Sequence, residues 1–313
     1  MTFEIGLDLF GGDHAPECNL QGLALALEKD ESLGITLFGD ETIMSPFLKD
    51  FPLRHRVTPV HTPDIIEMGD SPMRAVASKP NSSIVTGLKY LKSGKIHGFA
   101  SAGNTGAIFG AAVVVLGTVM ESVRPCLMTL VPRPDCRDAI ILDIGANADS
   151  KPENLVDFSL LGAAYARHLW KIENPRVGLI NIGEEPEKGN ELTKAAHKLL
   201  AGDPRVFFIG NTEPDKLFQD VADVYVCNGF TGNIILKLSE TLIGLVHRLG
   251  FRHPYLSRFN YENQGGSPVL GVNGAVVIGH GISNERAVAN MIFQTRDIAA
   301  AQLHIKIREA LLS

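Results

Sequence analysis

The sequence predicts an α/β protein in which helices cover both faces of a mostly parallel β-sheet, giving a three-layer αβα architecture. Short runs typical of β-strands alternate with longer segments of helical periodicity from the first residues onward. No internal repeat, low-complexity tract or long Pro/Ser-rich linker interrupts this alternation. We therefore expect one α/β domain over residues 1–313, which could divide into two lobes, with an irregular helical insertion at about 240–266.

The individual elements follow from hydrophobic periodicity and from residues that begin or end helices. The predicted strands cover residues 3–9, 35–38, 57–61, 99–101, 127–131, 139–144, 177–182, 206–209, 223–227 and 276–279. The predicted helices cover residues 17–29, 82–91, 105–120, 152–171 and 284–312, with others between 38 and 57 and from near 190 and 231. Leu20, Leu23 and Leu27 form one apolar face of the first helix. Ser82 is a candidate N-cap, and Pro152 suits a first helical turn.

Composition and charge exclude several classes of protein. The chain has 29 Lys and Arg against 35 Asp and Glu, and this net charge of −6 is unlike the basic surface of a nucleic-acid-binding protein. With 45% hydrophobic and 20% charged residues, the chain is too apolar to be disordered. The longest nearly apolar run, residues 107–120, is shorter than the roughly 20 residues that cross a bilayer. Residues 1–10 lack the features of a secretion signal and the 4 cysteines form no CxxC pair, so we expect a cytoplasmic protein with reduced thiols.

Many of the 31 glycines lie in turns that directly follow predicted strands. Six such turns also carry polar side chains, at residues 11–14, 101–106, 143–147, 181–185, 228–233 and 279–281. At this edge of a parallel sheet, glycine lets backbone N–H groups approach a ligand, and the N-terminus of the following helix favours an anion. The steric demands of a tight strand-to-helix connection also explain any single turn of this kind. Six of them together favour a crevice that binds phosphate or carboxylate.

The sequence lacks the common signatures of nucleotide, zinc and covalent-serine sites. It contains no GxxxxGK[ST], no GxGxxG after a strand, no HExxH and no GxSxG. It also has no dense cluster of His and Cys. We therefore expect no cofactor and no metal, and a chemistry that needs neither a covalent serine intermediate nor a zinc ion.

The same turns lie in ordered blocks that resemble a known family. These blocks are residues 11–16, 101–107, 143–147 with 151–153, 178–185, 188–193, 229–233 and 270–274. In this order and context they resemble the PlsX family of acyl-acyl-carrier-protein:phosphate acyltransferases. The resemblance implies a fold similar to that of isocitrate and isopropylmalate dehydrogenases, and reversible transfer of a fatty acyl group from acyl carrier protein to inorganic phosphate in phospholipid synthesis. It further implies a homodimer that associates peripherally with the membrane, with a membrane acyltransferase or the membrane surface as a further partner.

Three departures from the family pattern leave alternatives open. Phe10 stands where the family usually has Met, Asn228 stands where it usually has Asp, and the stretch between Glu240 and Tyr261 is shorter. In relatives that stretch forms protruding helices. One alternative is therefore a non-catalytic scaffold that binds acyl carrier protein or recruits proteins to the membrane. A second, suggested by the shared fold, is a NAD- and metal-dependent decarboxylating dehydrogenase, although no Asp cluster for Mg²⁺ is evident.

The matched blocks contain the residues from which we expect catalysis and substrate binding. Phosphate is already an anionic nucleophile and a thioester already has a good leaving group, so the protein must align the two and stabilise the oxyanion. The candidate catalytic residues are His14, Asn104, Thr105, Lys151, Lys188 and His280. The candidate substrate-binding residues are Gly12, Asp13, Gly103, Gly106, Asn147, Asn190, Thr231 and Asn233.

Each of these assignments has a simpler structural alternative. His14 and His280 suit proton transfer to the leaving thiol, but they also suit hydrogen bonds within their own turns. The two lysines are cations beside the crevice in the family pattern, whereas lysines elsewhere are commonly solvated surface charges. Asp13 could position a cation or could act only on a helix dipole.

A basic segment near residue 250 is a candidate docking surface. Arg248, Arg252 and Arg258 are interleaved there with large apolar residues. Because acyl carrier proteins are acidic, docking needs a local basic patch despite the net charge of −6. A solvated helical hairpin or a dimer contact would explain the same pattern equally well.

Overall fold

The structure is a computed structural model that describes residues 2–134 and 136–312. Its strands are β1 (Phe3–Asp8), β2 (Leu33–Gly39), β3 (Val57–His61), β4 (Gly98–Ser101), β5 (Cys126–Val131), β6 (Ala139–Leu142), β7 (Arg176–Ile180), β8 (Phe207–Thr212), β9 (Val224–Val226), β10 (Ser267–Leu270) and β11 (Ala275–Ile278). Its helices are α1 (Glu17–Lys29), α2 (Glu41–Asp50), α3 (Pro72–Ser78), α4 (Ser83–Lys92), α5 (Thr105–Leu116), α6 (Pro152–Leu169), α7 (Glu191–Ala201), α8 (Gly229–Arg248), α9 (Pro254–Ser257), α10 (Tyr261–Gln264), α11 (Glu285–Ala300) and α12 (Leu303–Leu312). The predicted three-layer αβα class with mostly parallel strands is confirmed.

The chain forms two compact units. The first consists of Met1–Gly117 and Tyr261–Gln302, and the second of Thr118–Asn260 and Leu303–Ser313.

In the first unit the strand order is β3-β2-β1-β4-β11-β10, and the paired strands are parallel except for β10 and β11. Two neighbouring residues of β4 show how helices cover both faces. Gly98 lies against Thr295 of α11, and Phe99 lies against Gly87 of α4. Because successive residues of a strand point to opposite faces, α11 and α4 belong to different layers. In this order β1, β4 and β11 are neighbours, so their carboxyl ends lie side by side.

In the second unit the strand order is β5-β6-β9-β7-β8, with β5 antiparallel to β6 and the other pairs parallel. Helix α6 packs on β6 and β9, where Gly162 leaves room for Leu142 and Val224. The buried Arg133 donates hydrogen bonds to the carbonyl oxygens of Gln219 (3.1 Å) and Ala222 (3.0 Å), which fixes the segment before β9. Here β6, β9 and β7 are neighbours, so their carboxyl ends also lie side by side.

The structure departs from the predicted elements in several places, and one of them is that the predicted helix 105–120 ends at Leu116. The predicted helix 284–312 is two helices, because Gln302 has a left-handed φ of 49° between α11 and α12. Helix α3 and strand β10 were not predicted. The seven residues of α3 are too few to establish a helical periodicity, and β10 contains Pro268, a residue that is disfavoured in strands. The predicted irregular insertion comprises the end of α8 and the two short helices α9 and α10.

Candidate functional site

Three of the glycine-rich turns follow β1, β4 and β11 of the first unit and contact one another. The N–H of Asp13 donates to the carbonyl of Gly281 (2.7 Å), and the N–H of Gly279 donates to the carbonyl of Ser101 (2.9 Å). Gly11 lies so close to the backbone of residues 102–103 that a Cβ would clash there. The first unit thus brings together eight of the predicted site residues: Gly12, Asp13, His14, Gly103, Asn104, Thr105, Gly106 and His280.

A buried carboxyl group links two of these turns. Asp8, at the end of β1, accepts hydrogen bonds from the Ser101 hydroxyl (2.6 Å) and the Phe10 N–H (3.0 Å). The same hydroxyl accepts from the N–H of Gly103 (3.1 Å). Burial raises the pKa of Asp8, and hydrogen bonds from Ser101 and Ser83 oppose that effect. The network fixes the turn after β4 relative to the end of β1.

Replacing Asp8 by Asn is expected to change how stability depends on pH. The folded-state pKa of Asp8 is raised above its unfolded value, so the stability that its proton contributes is lost as pH rises from the unfolded pKa through the folded pKa. Urea unfolding across this window should show the wild-type free energy of unfolding falling relative to that of Asp8→Asn, then a constant difference at higher pH. The exposed Glu28→Gln is the control. A wild-type advantage that grows with rising pH would contradict the assignment.

Asn104 caps α5 and anchors the segment that precedes α3. Its Oδ1 accepts from the N–H of Ala107 (3.0 Å), and its Nδ2 donates to the carbonyls of Glu67 (3.3 Å), Met68 (3.0 Å) and Asp70 (3.0 Å). Both ends of this buried amide are therefore engaged by the protein. The exposed Thr105 and Gly106 follow at the helix start, where the first N–H groups have no partner within the helix.

Substitution of Asn104 should separate these two roles. Asn104→Ala loses the cap and leaves three carbonyls without their donor, so we expect a loss of about 2–3 kcal/mol in the free energy of unfolding. Asn104→Ser keeps a capping oxygen and should lose less. Asn190→Ala is the matched control, because Asn190 accepts from the N–H of Thr193 (2.9 Å) and caps only α7. Urea unfolding measures all three variants. Equal losses in Asn104→Ala and Asn104→Ser would show that the cap contributes nothing, and equal losses in Asn104→Ala and Asn190→Ala would show that the Nδ2 contacts contribute nothing.

The two predicted catalytic histidines lie in different environments of the first unit. His14 is exposed in the turn after β1. His280 is half-buried after β11, where its Nδ1 faces the N–H of Ile282 (3.4 Å) and its carbonyl accepts from Ser283 (Oγ, 2.6 Å). The contacts within the second turn suit a structural role, and proton transfer by either residue stays a prediction.

Asp143 organises the turn after β6 in the second unit. It is fully buried and accepts hydrogen bonds from the N–H groups of Leu127 (3.0 Å), Gly145 (3.3 Å), Ala146 (3.2 Å) and Asn147 (2.6 Å), and from Asn147 Nδ2 (2.9 Å). One carboxylate therefore sets the backbone of the whole turn. Asp143 is not among the site residues predicted from the sequence, although an Asp between an apolar strand and a glycine is a usable signal.

The turns after β6 and β9 meet at Asn147. Its carbonyl accepts from the N–H of Gly229 (2.8 Å), and Gly145 lies beside the Asn233 side chain. The Oδ1 atom of Asn147 accepts a hydrogen bond from Nε of Arg124 (2.6 Å). Within the described residues the terminal guanidinium nitrogens of this exposed arginine form no ion pair. Arg124 is thus a cation beside the predicted site that was not predicted from the sequence, because only the fold brings it to Asn147.

The two predicted catalytic lysines also lie at strand ends of the second unit. Lys151 follows the β6 turn and directly precedes α6, and Lys188 lies in the turn after β7. The Lys188 side chain packs over Gly183, and its carbonyl accepts from Asn181 Nδ2 (3.1 Å). Both lysines are exposed, and no carboxylate of the described chain pairs with either ammonium group. The remaining predicted residues of this unit are Asn190, which caps α7, and Thr231 and Asn233 in the first turn of α8.

The three predicted docking arginines differ in how the protein uses them. Arg258 donates to the carbonyl of Arg133 (2.7 Å) and forms an ion pair with Asp138, which ties the segment after α9 to the β5–β6 connection. Arg248 and Arg252 are exposed, and Arg252 donates to a backbone carbonyl at the end of α8. Arg258 therefore connects segments that are distant along the chain, whereas the hydrogen bonds of Arg252 are local.

Other chemistry-bearing groups are buried or dispersed. Burial raises the pKa of the Cys126 and Cys227 thiols, which disfavours their thiolate forms. Among the described residues, no group of three or more His, Cys, Asp or Glu side chains could hold a metal ion. None of the described helices has the length and apolar character needed to cross a membrane.

Solved structures with the same fold include acyl-transferring enzymes. The chain aligns with EutD phosphotransacetylase from Staphylococcus aureus at a TM-score of 0.64 and 17% identity, covering 95% of this chain and 94% of the other. It aligns with a branched-chain phosphotransacylase from Enterococcus faecalis V583 at a TM-score of 0.64 and 14% identity, covering 97% and 99%. At these identities the likeness shows the fold alone.

Sequence comparison shows the family. A protein from Dictyoglomus thermophilum named phosphate acyltransferase is 37% identical, with 98% of this chain and 97% of that protein covered. Proteins of the same name from Halothermothrix orenii and Listeria innocua are each 38% identical, covering 92% and 96% of this chain and 92% and 94% of those proteins. The family model described as fatty acid synthesis protein matches residues 3–250. The family predicted from the ordered turns is thus confirmed: this chain belongs to the fatty acid synthesis protein, or PlsX, family.

Proposed function

We propose that this acyltransferase catalyses reversible formation of acyl phosphate from acyl-acyl carrier protein and inorganic phosphate, in phospholipid biosynthesis. The observation that carries the proposal is the match, over more than nine-tenths of the chain, to several proteins named phosphate acyltransferase. Phosphate and a thioester-bound acyl group are the substrates that this activity requires.

The geometry of the strand-end turns supports this chemistry. In the first unit, the α5 N-terminus offers backbone N–H groups at the exposed Thr105 and Gly106, and such groups stabilise anions. In the second unit, Arg124, Lys151 and Lys188 are cations without a carboxylate partner in the described chain. Backbone N–H groups stabilise a developing oxyanion, and cationic side chains stabilise a dianionic nucleophile.

The proposed reaction needs no covalent enzyme intermediate. An oxygen of hydrogen phosphate attacks the thioester carbonyl carbon, and the tetrahedral oxyanion collapses as the carbon–sulfur bond breaks. The proton of hydrogen phosphate ends on the sulfur, so the products are acyl phosphate and the carrier thiol. We assign the transfer of this proton to His14 or His280, and charge stabilisation to the helix-start N–H groups and the lysines.

A trapping assay tests the proposed activity. Purified protein, acyl-acyl carrier protein and phosphate are incubated, and acyl phosphate is captured with hydroxylamine as the hydroxamate. We expect product that depends on both protein and phosphate, and loss of acyl-carrier thioester in equal amount. Product no greater than in a blank without protein would overturn the proposal.

The departure at Asn228 is compatible with activity. Asn228 Oδ1 caps α8 by accepting from the N–H of Thr231 (3.1 Å), and its Nδ2 donates to the carbonyl of Ala148 (3.4 Å). The Asp usual in the family could supply the first contact but not the second. The amide thus keeps the helix cap, so the change from Asp leaves the local structure at the start of α8 in place.

We also propose that the chain acts as a homodimer through α8. One side of this helix carries six large apolar side chains that are between 43% and 66% exposed; they are Phe230, Ile234, Leu238, Leu242, Leu245 and Leu249. Their spacing of three or four residues places them on a single stripe, which suits pairing with the same helix of a second copy. Cytoplasmic location, peripheral membrane association and carrier docking at Arg248 and Arg252 complete the proposal from the family resemblance.

A charge placed on this stripe should dissociate the dimer. We expect wild-type protein to sediment as a dimer and Leu238→Lys with Leu242→Lys to sediment as a monomer, because two buried ammonium groups per protomer would oppose association. Glu240→Gln changes a residue on the side of the same helix that faces away from the stripe and should remain dimeric. Analytical ultracentrifugation distinguishes these outcomes, and a double variant that stays dimeric would place the interface elsewhere.

A further inference from the structure

The first unit has an exposed apolar patch around α5 that its fold does not explain. Among the described residues of the first unit, four large apolar side chains are exposed: Met68, Met73, Val114 and Ile282. All four lie near the same helix or the turn that contacts its start. An exposed apolar cluster next to a substrate site is typical of a ligand groove rather than of ordinary surface.

Two contacts place the methionine side chains of this patch against α5 and against the turn after β11. Met73 of α3 lies over Gly110 of α5, where a Cβ would meet its sulfur. The Met68 methyl group lies beside Gly281, directly before Ile282. Asn104 holds the backbone of Met68 by the hydrogen bond to its carbonyl (3.0 Å). The methionine-bearing segment is therefore fixed at the start of α5, while its flexible thioethers remain adaptable.

The patch continues along the helix. Helix α5 has no charged residue, and Phe109, Val113 and Val114 keep part of their surface exposed. From Thr105 to Val114 the helix rises about 14 Å. The surface thus extends from a polar helix start, suited to a carbonyl or phosphate, along an apolar helix side.

We propose that this surface, formed by Met68, Met73, Phe109, Val114 and Ile282, is the groove that holds the fatty acyl chain. The inference rests on the proposed function, in which the acyl carbonyl lies at an anion-binding helix start. The chain runs from Thr105 towards Val114, so Val114 limits the chain length that the groove shelters. Met68 and Met73 adapt to the alkyl chain, as unbranched side chains can.

The chain-length profile tests the groove. We measure kcat/KM for acyl-carrier thioesters from octanoyl to stearoyl in wild type, Val114→Trp and Met73→Lys. Each methylene displaced from an apolar groove costs roughly 4-fold, so we expect the stearoyl-to-octanoyl ratio to fall about 10- to 100-fold in Val114→Trp. Met73→Lys should lower the same ratio, because its ammonium group would need to be desolvated beside an alkyl chain. Glu28→Trp adds equal bulk to an exposed helix away from the patch and should leave the ratio unchanged.

The outcomes separate this inference from the proposed function. Wild type without activity on any chain would refute the proposed function. Active variants that keep the wild-type chain-length ratio would refute the groove alone. If either patch variant changes the sedimentation of the protein from dimer to monomer, the patch is an interface between copies and the groove assignment is wrong.

Discussion

Lys188→Gln is expected to lower kcat for acyl phosphate formation by about 100- to 1000-fold, the loss typical when one donor is removed from a transition-state site. The side chain is exposed at the end of β7, and the described chain offers its ammonium group no carboxylate partner. Its charge is therefore available to a phosphate or an oxyanion. Steady-state kinetics with acyl-acyl carrier protein and phosphate measure the effect on kcat and on the KM for phosphate.

Two further variants make the Lys188 result specific. Lys188→Arg keeps the charge but changes its geometry, so we expect activity between that of wild type and Lys188→Gln. Lys194→Gln removes an exposed lysine from the nearby α7 and should change kcat by less than about 2-fold, as for a solvated charge. Equal activity of Lys188→Gln and Lys194→Gln would remove Lys188 from the catalytic site.

Asp143→Ala is expected to lower the free energy of unfolding by about 3–4 kcal/mol, because several buried N–H donors of one turn lose their hydrogen-bond acceptor. The N–H groups of Leu127 and Asn147 are buried, whereas those of Gly145 and Ala146 can reach water. Loss of the carboxylate also removes two of the hydrogen bonds that hold Asn147, so activity should fall together with stability. Urea unfolding and the trapping assay measure the two effects.

An isosteric change sharpens the Asp143 test. In Asp143→Asn one oxygen becomes an NH₂ group that faces N–H donors, so we expect destabilisation similar to that of the Ala variant rather than rescue. Asp149→Asn makes the same charge change at an exposed position of the following segment and should alter stability by less than about 0.5 kcal/mol. An Asp143→Asn variant as stable as wild type would show that these hydrogen bonds do not hold the turn.

Much of the fold could be predicted because its signals are local. Strand-length apolar runs, glycine turns and helix-start residues lie within a few positions of the structure they specify. Ser82, expected as a cap, accepts from the N–H of Val85 (3.4 Å), and Pro152 opens α6 as predicted. The break between α11 and α12 was missed because Gln302 carries no sequence signal for a left-handed φ.

The candidate site could be predicted only in part. The turns were found because glycine and polar residues follow six of the strands, and the family resemblance added the lysines. Arg124 and Asn147 are 23 residues apart, so no local pattern links them. Arg258 was expected on a docking surface, yet its ion pair with Asp138 spans 120 residues and depends on where the segment after α9 packs.

The sequence by itself determined the αβα class, the position of the six turns and the family, because each depends on residue types at short spacing or in a conserved order along the chain. Only the tertiary structure decided what those residues touch. In the folded chain, both ends of the Asn104 amide form hydrogen bonds, and Asp143 accepts the hydrogen bonds of a whole turn. Met68, Met73 and Ile282 are exposed near α5 and the turn that contacts its start. Hydrogen bonds and apolar contacts act over a few ångströms in space, and separation along the chain does not predict that distance.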